Sequence, residues 1–151
     1  MRAARAPGFT LVELLVVLAI LGLVLAALPG AFSAALPGVE AKAAARRTVA
    51  ALRLTRERAI REARAEALLV RPAEHRLEPP GAAPVQLPRR LALRLETARG
   101  ELVGARAGAI RFFPDGSSSG GRIVLSAEGR GYQVGVHWLT GRVRMAPWST
   151  P

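Results

Sequence analysis

Phe9 to Leu28 reads FTLVELLVVLAILGLVLAAL, a run of 20 residues whose only charge is Glu13. As a helix it would extend roughly 30 Å, about the thickness of a bilayer's hydrocarbon core. Hydrophobicity accounts for every residue in it except the carboxylate. An ionised side chain at that depth costs about 2.5–3.5 kcal/mol on insertion scales. A plain anchor has no use for that cost, so Glu13 is where a functional reading begins.

The residues before the run are MRAARAPG, a short basic leader with Arg2 and Arg5. The excess of positive charge predicts that this end stays cytoplasmic while the chain after Leu28 lies outside. A secretory signal peptide would need a shorter apolar region, and AALPGAFSA offers small residues for its cleavage. Glu13 and the Gly8-Phe9 junction fit neither that reading nor a simple anchor.

Gly8 to Leu14, GFTLVEL, followed by an unbroken apolar helix, resembles the prepilin signature of type IV pilins and type II secretion pseudopilins. The resemblance implies cleavage by a membrane prepilin peptidase between Gly8 and Phe9, with Phe9 as the N-methylated residue. Glu13 takes the family's acidic position and is implied in subunit assembly. A carboxylate in low dielectric seeks an opposite charge, and the Phe9 amine of a neighbouring subunit would supply one.

The rest of the chain divides by composition. Residues 1–8 are the leader and 9–28 the transmembrane and polymerisation helix. Residues 29–70 form a kink region and an amphipathic helix, with Pro29, Gly30, Pro37 and Gly38 as punctuation. From Val39 to about Val70, Val49, Leu52, Ala59, Ile60, Ala63 and Ala67 approximate one apolar stripe. Arg53–Glu57, Glu57–Arg61 and Arg58–Glu62 are i,i+4 pairs on a solvated face. Leu68 to Val70 could start a strand, and Pro72 to Arg90, holding five prolines, reads as a long loop with His75 as a surface residue.

Residues 71–151 make the antiparallel β-sheet head, which with 39–70 forms the soluble domain. Beyond Leu91 the period becomes two. Leu91, Leu93 and Leu95 predict a strand, as do Ile110 with Phe112, Ile123 with Leu125, and Tyr132, Val134, Val136 and Trp138. Pro114-Asp115-Gly116, Glu128-Gly129 and Thr140-Gly141 supply turns. The fold class is therefore α+β, pilin-like: a long N-terminal hydrophobic helix continues into a helix packed on an antiparallel sheet.

Composition narrows the function. The chain has 151 residues, 22 Lys and Arg against 11 Asp and Glu, and a formal charge of +11. Lys42 is its one lysine. The charge permits a nucleic-acid or anionic-membrane partner, and a coding bias towards Arg and Ala produces the same figure. Without cysteine there is no disulfide framework or thiolate metal site. One aspartate (Asp115) and two separated histidines (His75, His137) make a hydrolytic triad or a metal cluster hard to assemble. No catalytic residue, metal or cofactor is expected, and the protein reads as a structural subunit, not an enzyme. Asp115 in PDGSSSGG lacks the lysine of a phosphate loop and the ligands of a calcium loop.

Ile110 to Met145 resembles the GspH/FimT branch of minor pilins and pseudopilins, with an apolar strand, a Gly-Ser loop, two further strands and a terminal G-R-x-R. Leu87-Pro88 resembles its entry into a strand; the tail APWSTP after Met145 does not align with that pattern. The resemblance implies a subunit of a type II secretion pseudopilus or a type IV pilus. Its partners would be other pilin or pseudopilin subunits, prepilin peptidase, the inner-membrane assembly platform and inner-membrane lipid. It would sit as a single-pass inner-membrane protein with a periplasmic head before entering the filament.

Gly141-Arg142-Val143-Arg144 carries the alternative. On a strand, Arg142 and Arg144 would point to one side about 6.5–7 Å apart, near the phosphate spacing of a nucleic acid. In FimT-type minor pilins such a motif is associated with DNA uptake, which makes DNA the partner on that reading. A charged edge strand that discourages aggregation explains the same residues.

Overall fold

The computed structural model describes residues 9–103 and 107–150, and of 27–37 the backbone alone. Two compact units divide the chain, Met1–Leu36 and Pro37–Pro151. One helix, α1 (Leu11–Arg61), contributes to both. The helix continues across Pro29 and Pro37, although neither proline nitrogen can donate to it. Thr10 starts the helix: the Glu13 N–H donates to its Oγ1 at 3.2 Å, satisfying one of the first-turn donors. From Phe9 to Leu25 the large apolar side chains of the first unit are all more than half exposed. Among the described residues no helix is long and apolar enough to cross a membrane. Within the apolar run that opens α1, the described side chains reach Ala26.

In the second unit, α1 buries a stripe of small residues. Ala41, Ala44, Ala45, Thr48, Ala51, Leu52, Thr55 and Ala59 recur at three- and four-residue intervals and are almost fully buried. Small side chains let the sheets approach the helix closely. The two threonines remain compatible with burial because Thr48 and Thr55 donate to the Ala44 and Ala51 carbonyls at 3.0 and 2.9 Å. Ile60, expected in the stripe, is 44% exposed.

The helix ends at Arg61, not near Val70. The Ala63 backbone turns left-handed (φ 49°), and the Arg64 N–H reaches back to the Ala59 carbonyl. The alternating residues that follow then form β1 (Glu66–Arg71), buried at Glu66, Leu68 and Val70. Alternation, local to those residues, overrides the helical composition of the flank. Beyond it, the expected loop of Pro72–Arg90 contains two short strands, β2 (Arg76–Glu78), paired to β1, and β3 (Val85–Gln86), paired to β2. The prolines fall between these strands, where no ladder donor is needed.

The remaining strands are β4 (Ala92–Glu96), β5 (Leu102–Val103), β6 (Ala107–Phe112), β7 (Gly121–Ala127), β8 (Arg130–Val136) and β9 (Val143–Ser149). Instead of one sheet they complete two, both antiparallel in every pairing. One has the order β3-β2-β1-β6-β5, the other β4-β7-β8-β9. The chain passes between them through residues 113–120, where Gly116 and Gly120 take positive φ and redirect it. Thr97 Oγ1 donates to the Ala109 carbonyl at 2.7 Å and ties the end of β4 to β6. The shared core joins Leu52 of the helix to Leu68, Ile110 and Phe112 of one sheet and Leu125 and Val134 of the other.

Glu128-Gly129 is the expected hairpin turn. Both residues have positive φ (50° and 76°), and Ala127 pairs with Arg130 across a two-residue loop. Strand β9 is the last of its sheet, bonded only to β8, and carries Pro147 within it.

Candidate functional site

Arg142 and Arg144 lie at the start of β9, and the structure fixes their surroundings more tightly than the sequence does. The turn from β8 to β9 spans residues 137–142. The Gly141 N–H donates to the His137 carbonyl at 2.8 Å, and the His137 N–H to the Arg142 carbonyl at 3.0 Å. Gly141 has φ 59°, and a Cβ there would sit 2.1 Å from the Gly116 carbonyl oxygen. The glycine of the G-R-x-R motif is thus required where two loops cross.

Arg56 of α1 holds this crossing. It donates from Nε to the Gly116 carbonyl at 3.1 Å and from Nη2 to the Thr140 carbonyl at 3.3 Å. The Ser118 N–H donates to the Trp138 carbonyl at 2.7 Å, a third tie between the two loops. Nothing local distinguishes Arg56 from the other arginines of its helix, so its role could not be read before the loops were placed.

Arg142 falls just outside the strand, but both arginines are exposed and border one shallow open depression of about 620 Å³. Gly121, Gly135, Val136, His137 and Thr140 complete its lining. Register explains the floor. Glu96, Arg122, Gly135 and Arg144 are successive partners across the four strands, forming one row in which Gly135 leaves a gap beside Arg144. A Cβ on Gly135 would meet nothing within 4 Å. Arg122 is engaged, donating to Glu96 at 3.0 Å and to Gln133 at 3.1 Å. Trp138 and Leu139, 63% and 59% exposed, stand at the tip of the turn. Trp138 was expected on the inner side of a strand; β8 stops at Val136, and the turn carries Trp138 outward.

His137 is exposed, with its ring 6.2 Å from that of Trp138 in a stacked arrangement. His75 is instead half-buried: its backbone is left-handed, and its Nε2 lies 2.9 Å from the Leu91 carbonyl. It joins the Pro72–Arg90 segment to the start of β4. Asp115 organises its own turn. The Ser117 hydroxyl and N–H donate to its Oδ1 at 2.6 and 2.9 Å and hold its carboxyl below the usual range. Among the described residues no group of three or more His, Asp or Glu side chains is placed to hold a metal ion.

Glu13 occupies the first turn of α1, and Phe9 precedes it, 77% exposed. Gly8 lies outside the described residues. Phe9 and Glu13 on one side and the arginine depression on the other therefore belong to different units of the chain.

Residues 4–29 match the prokaryotic N-terminal methylation motif, and residues 44–140 match the family described as type II transport protein GspH. The chain belongs to the GspH family. A GspH relative, type II secretion system protein H of Xanthomonas campestris pv. campestris, is 36% identical over 144 residues, covering 95% of this chain and 85% of the relative. The minor pseudopilin EpsH from the type 2 secretion system of Vibrio cholerae superposes with a TM-score of 0.55 at 17% identity. That match covers 71% of this chain and 96% of the other, and it shows a shared fold. The expected pilin-like α+β class is the class observed.

Proposed function

We propose that this GspH-family chain is a minor pseudopilin of a type II secretion system. Prepilin peptidase cuts it between Gly8 and Phe9, and the new Phe9 amine is methylated. The helix from Phe9 holds it in the inner membrane, leader cytoplasmic and head periplasmic, until the assembly platform moves it into the pseudopilus. The observation that carries this reading is the pairing of the methylation motif and its exposed apolar helix with a GspH-type head on one chain. Glu13 is the registration residue: a carboxylate costly among lipid tails is stabilised when a neighbour's Phe9 amine meets it.

The test is Glu13→Ala in the secreting cell. Membrane insertion and cleavage should persist while incorporation into sheared pseudopili falls; normal incorporation would overturn the role of Glu13. Mass spectrometry of the mature subunit should find N-methylated Phe9 at its start, and an uncut leader would overturn the processing step.

A rival reading makes the filament a DNA receptor through Arg142 and Arg144. Both are exposed and border one depression, which favours it. Its mark is duplex DNA binding that weakens steeply with salt and disappears in Arg142→Ala/Arg144→Ala.

A further inference from the structure

We infer that the depression over Gly135 is a docking site for an acidic, apolar segment of another protein. Its charge is cationic: Arg142 and Arg144 border it, and neither forms an ion pair among the described residues. Two guanidinium groups present the forked donors that match a carboxylate. The Thr140 hydroxyl and the His137 ring add polar groups on the same rim. The floor is Gly121 and Gly135, so an incoming side chain lies directly on the sheet backbone.

The apolar part of the complement is Trp138 and Leu139. Hydrogen bonds accepted by the Trp138, His137 and Thr140 carbonyls, from the Ser118 N–H, the Gly141 N–H and Arg56, fix the turn that carries them before any partner arrives. A preset aromatic anchor loses little conformational freedom on binding, the property of interface hot spots. A protein segment uses both halves of this surface.

A nucleic-acid backbone uses only one half. It needs a track of free cations, but in the row Glu96–Arg122–Gly135–Arg144 the Arg122 guanidinium is already held by the Glu96 carboxylate. The site thus favours a carboxylate flanked by aliphatic side chains over a run of phosphates.

The test uses the full chain, unassembled, in neutral detergent micelles, so it does not depend on the filament reading. The probe is a fluorescein-labelled hexapeptide of alternating Asp and Leu, blocked at both ends and followed by anisotropy. A Lys-Leu counterpart and a 20-base-pair DNA duplex serve as controls. The Asp-Leu peptide should bind saturably and the Lys-Leu peptide should not. Gly135→Val, which fills open space in a strand, should weaken binding about tenfold or more, as should Trp138→Ala. Arg144→Glu, an exposed change, should do the same with an unaltered melting temperature. Absence of saturable peptide binding, or undiminished binding in Gly135→Val and Arg144→Glu, would overturn the inference. So would DNA binding tighter than the peptide and lost in the same variants, which would return the surface to the rival reading.

Discussion

Gly141 shows how one position joins two loops. A left-handed backbone costs a non-glycine residue about 1–2 kcal/mol, and an added Cβ here also overlaps the Gly116 carbonyl. Neither loop can retreat, because Arg56 and Ser118 tie both. Gly141→Ala should therefore destabilise by at least about 1–2 kcal/mol in denaturant unfolding. Arg58, two residues further along α1, ties down a different loop in a similar way. It donates to the Pro80 carbonyl at 2.9 Å, lies 2.8 Å from a Glu62 oxygen, and packs where a Gly81 side chain would be. Arg58→Ala should cost about 1–3 kcal/mol, since a hydrogen bond from a charged group is lost and nearly buried Glu66 loses a neighbouring cation. Asp115 gives a pH signature. Its carboxyl titrates lower in the folded chain than unfolded, so its contribution is present above the ordinary carboxylate range and is lost as pH falls through the folded value. The Ser117 amide resonance should follow that titration with a midpoint below that of aspartate in a free peptide.

Among the elements, α1 is governed by side-chain size. Thr48 and Ala45 sit where the sheets press against the helix. Thr48→Val keeps the shape and removes only a back-bonded hydroxyl, so its effect should stay within about 1 kcal/mol. Ala45→Leu has no room and should cost about 1–3 kcal/mol by thermal unfolding. These elements differ in how legible they were. The stripe through Leu52 and Ala59 and the turn at Glu128-Gly129 follow from neighbours in sequence, and both appeared in the expected places. The division into two sheets did not, because the Leu68–Ile110 and Leu93–Leu125 pairings are set by strands far apart in the chain. Proline density hid β2 and β3 for a related reason: β2 is anchored on β1, outside the segment itself, and β3 on β2 in turn. Within the candidate site the two arginines stood out as a motif, while Gly135 and Arg56 acquire meaning only from cross-strand register and loop crossing.

At the scale of the molecule, the two units have unlike surfaces. Apolar side chains from Phe9 to Leu25 are exposed, whereas Pro37–Pro151 buries its own core. A chain starting at Pro37 should remain monodisperse without detergent and unfold in one cooperative transition, while the full chain should require detergent or lipid. On the proposed pseudopilin role, the apolar helix and Glu13 would serve joining, and the head recognition.

The outermost strand of the four-stranded sheet bears on that recognition. Pro147 interrupts the line of backbone donors that β9 could offer to a further strand. Neighbouring heads therefore cannot zip into a common sheet along this edge and must meet through side chains. Contacts of that kind form and separate without unpicking a ladder of hydrogen bonds. For a pseudopilin awaiting assembly, such an edge would keep one copy from pairing with another along it.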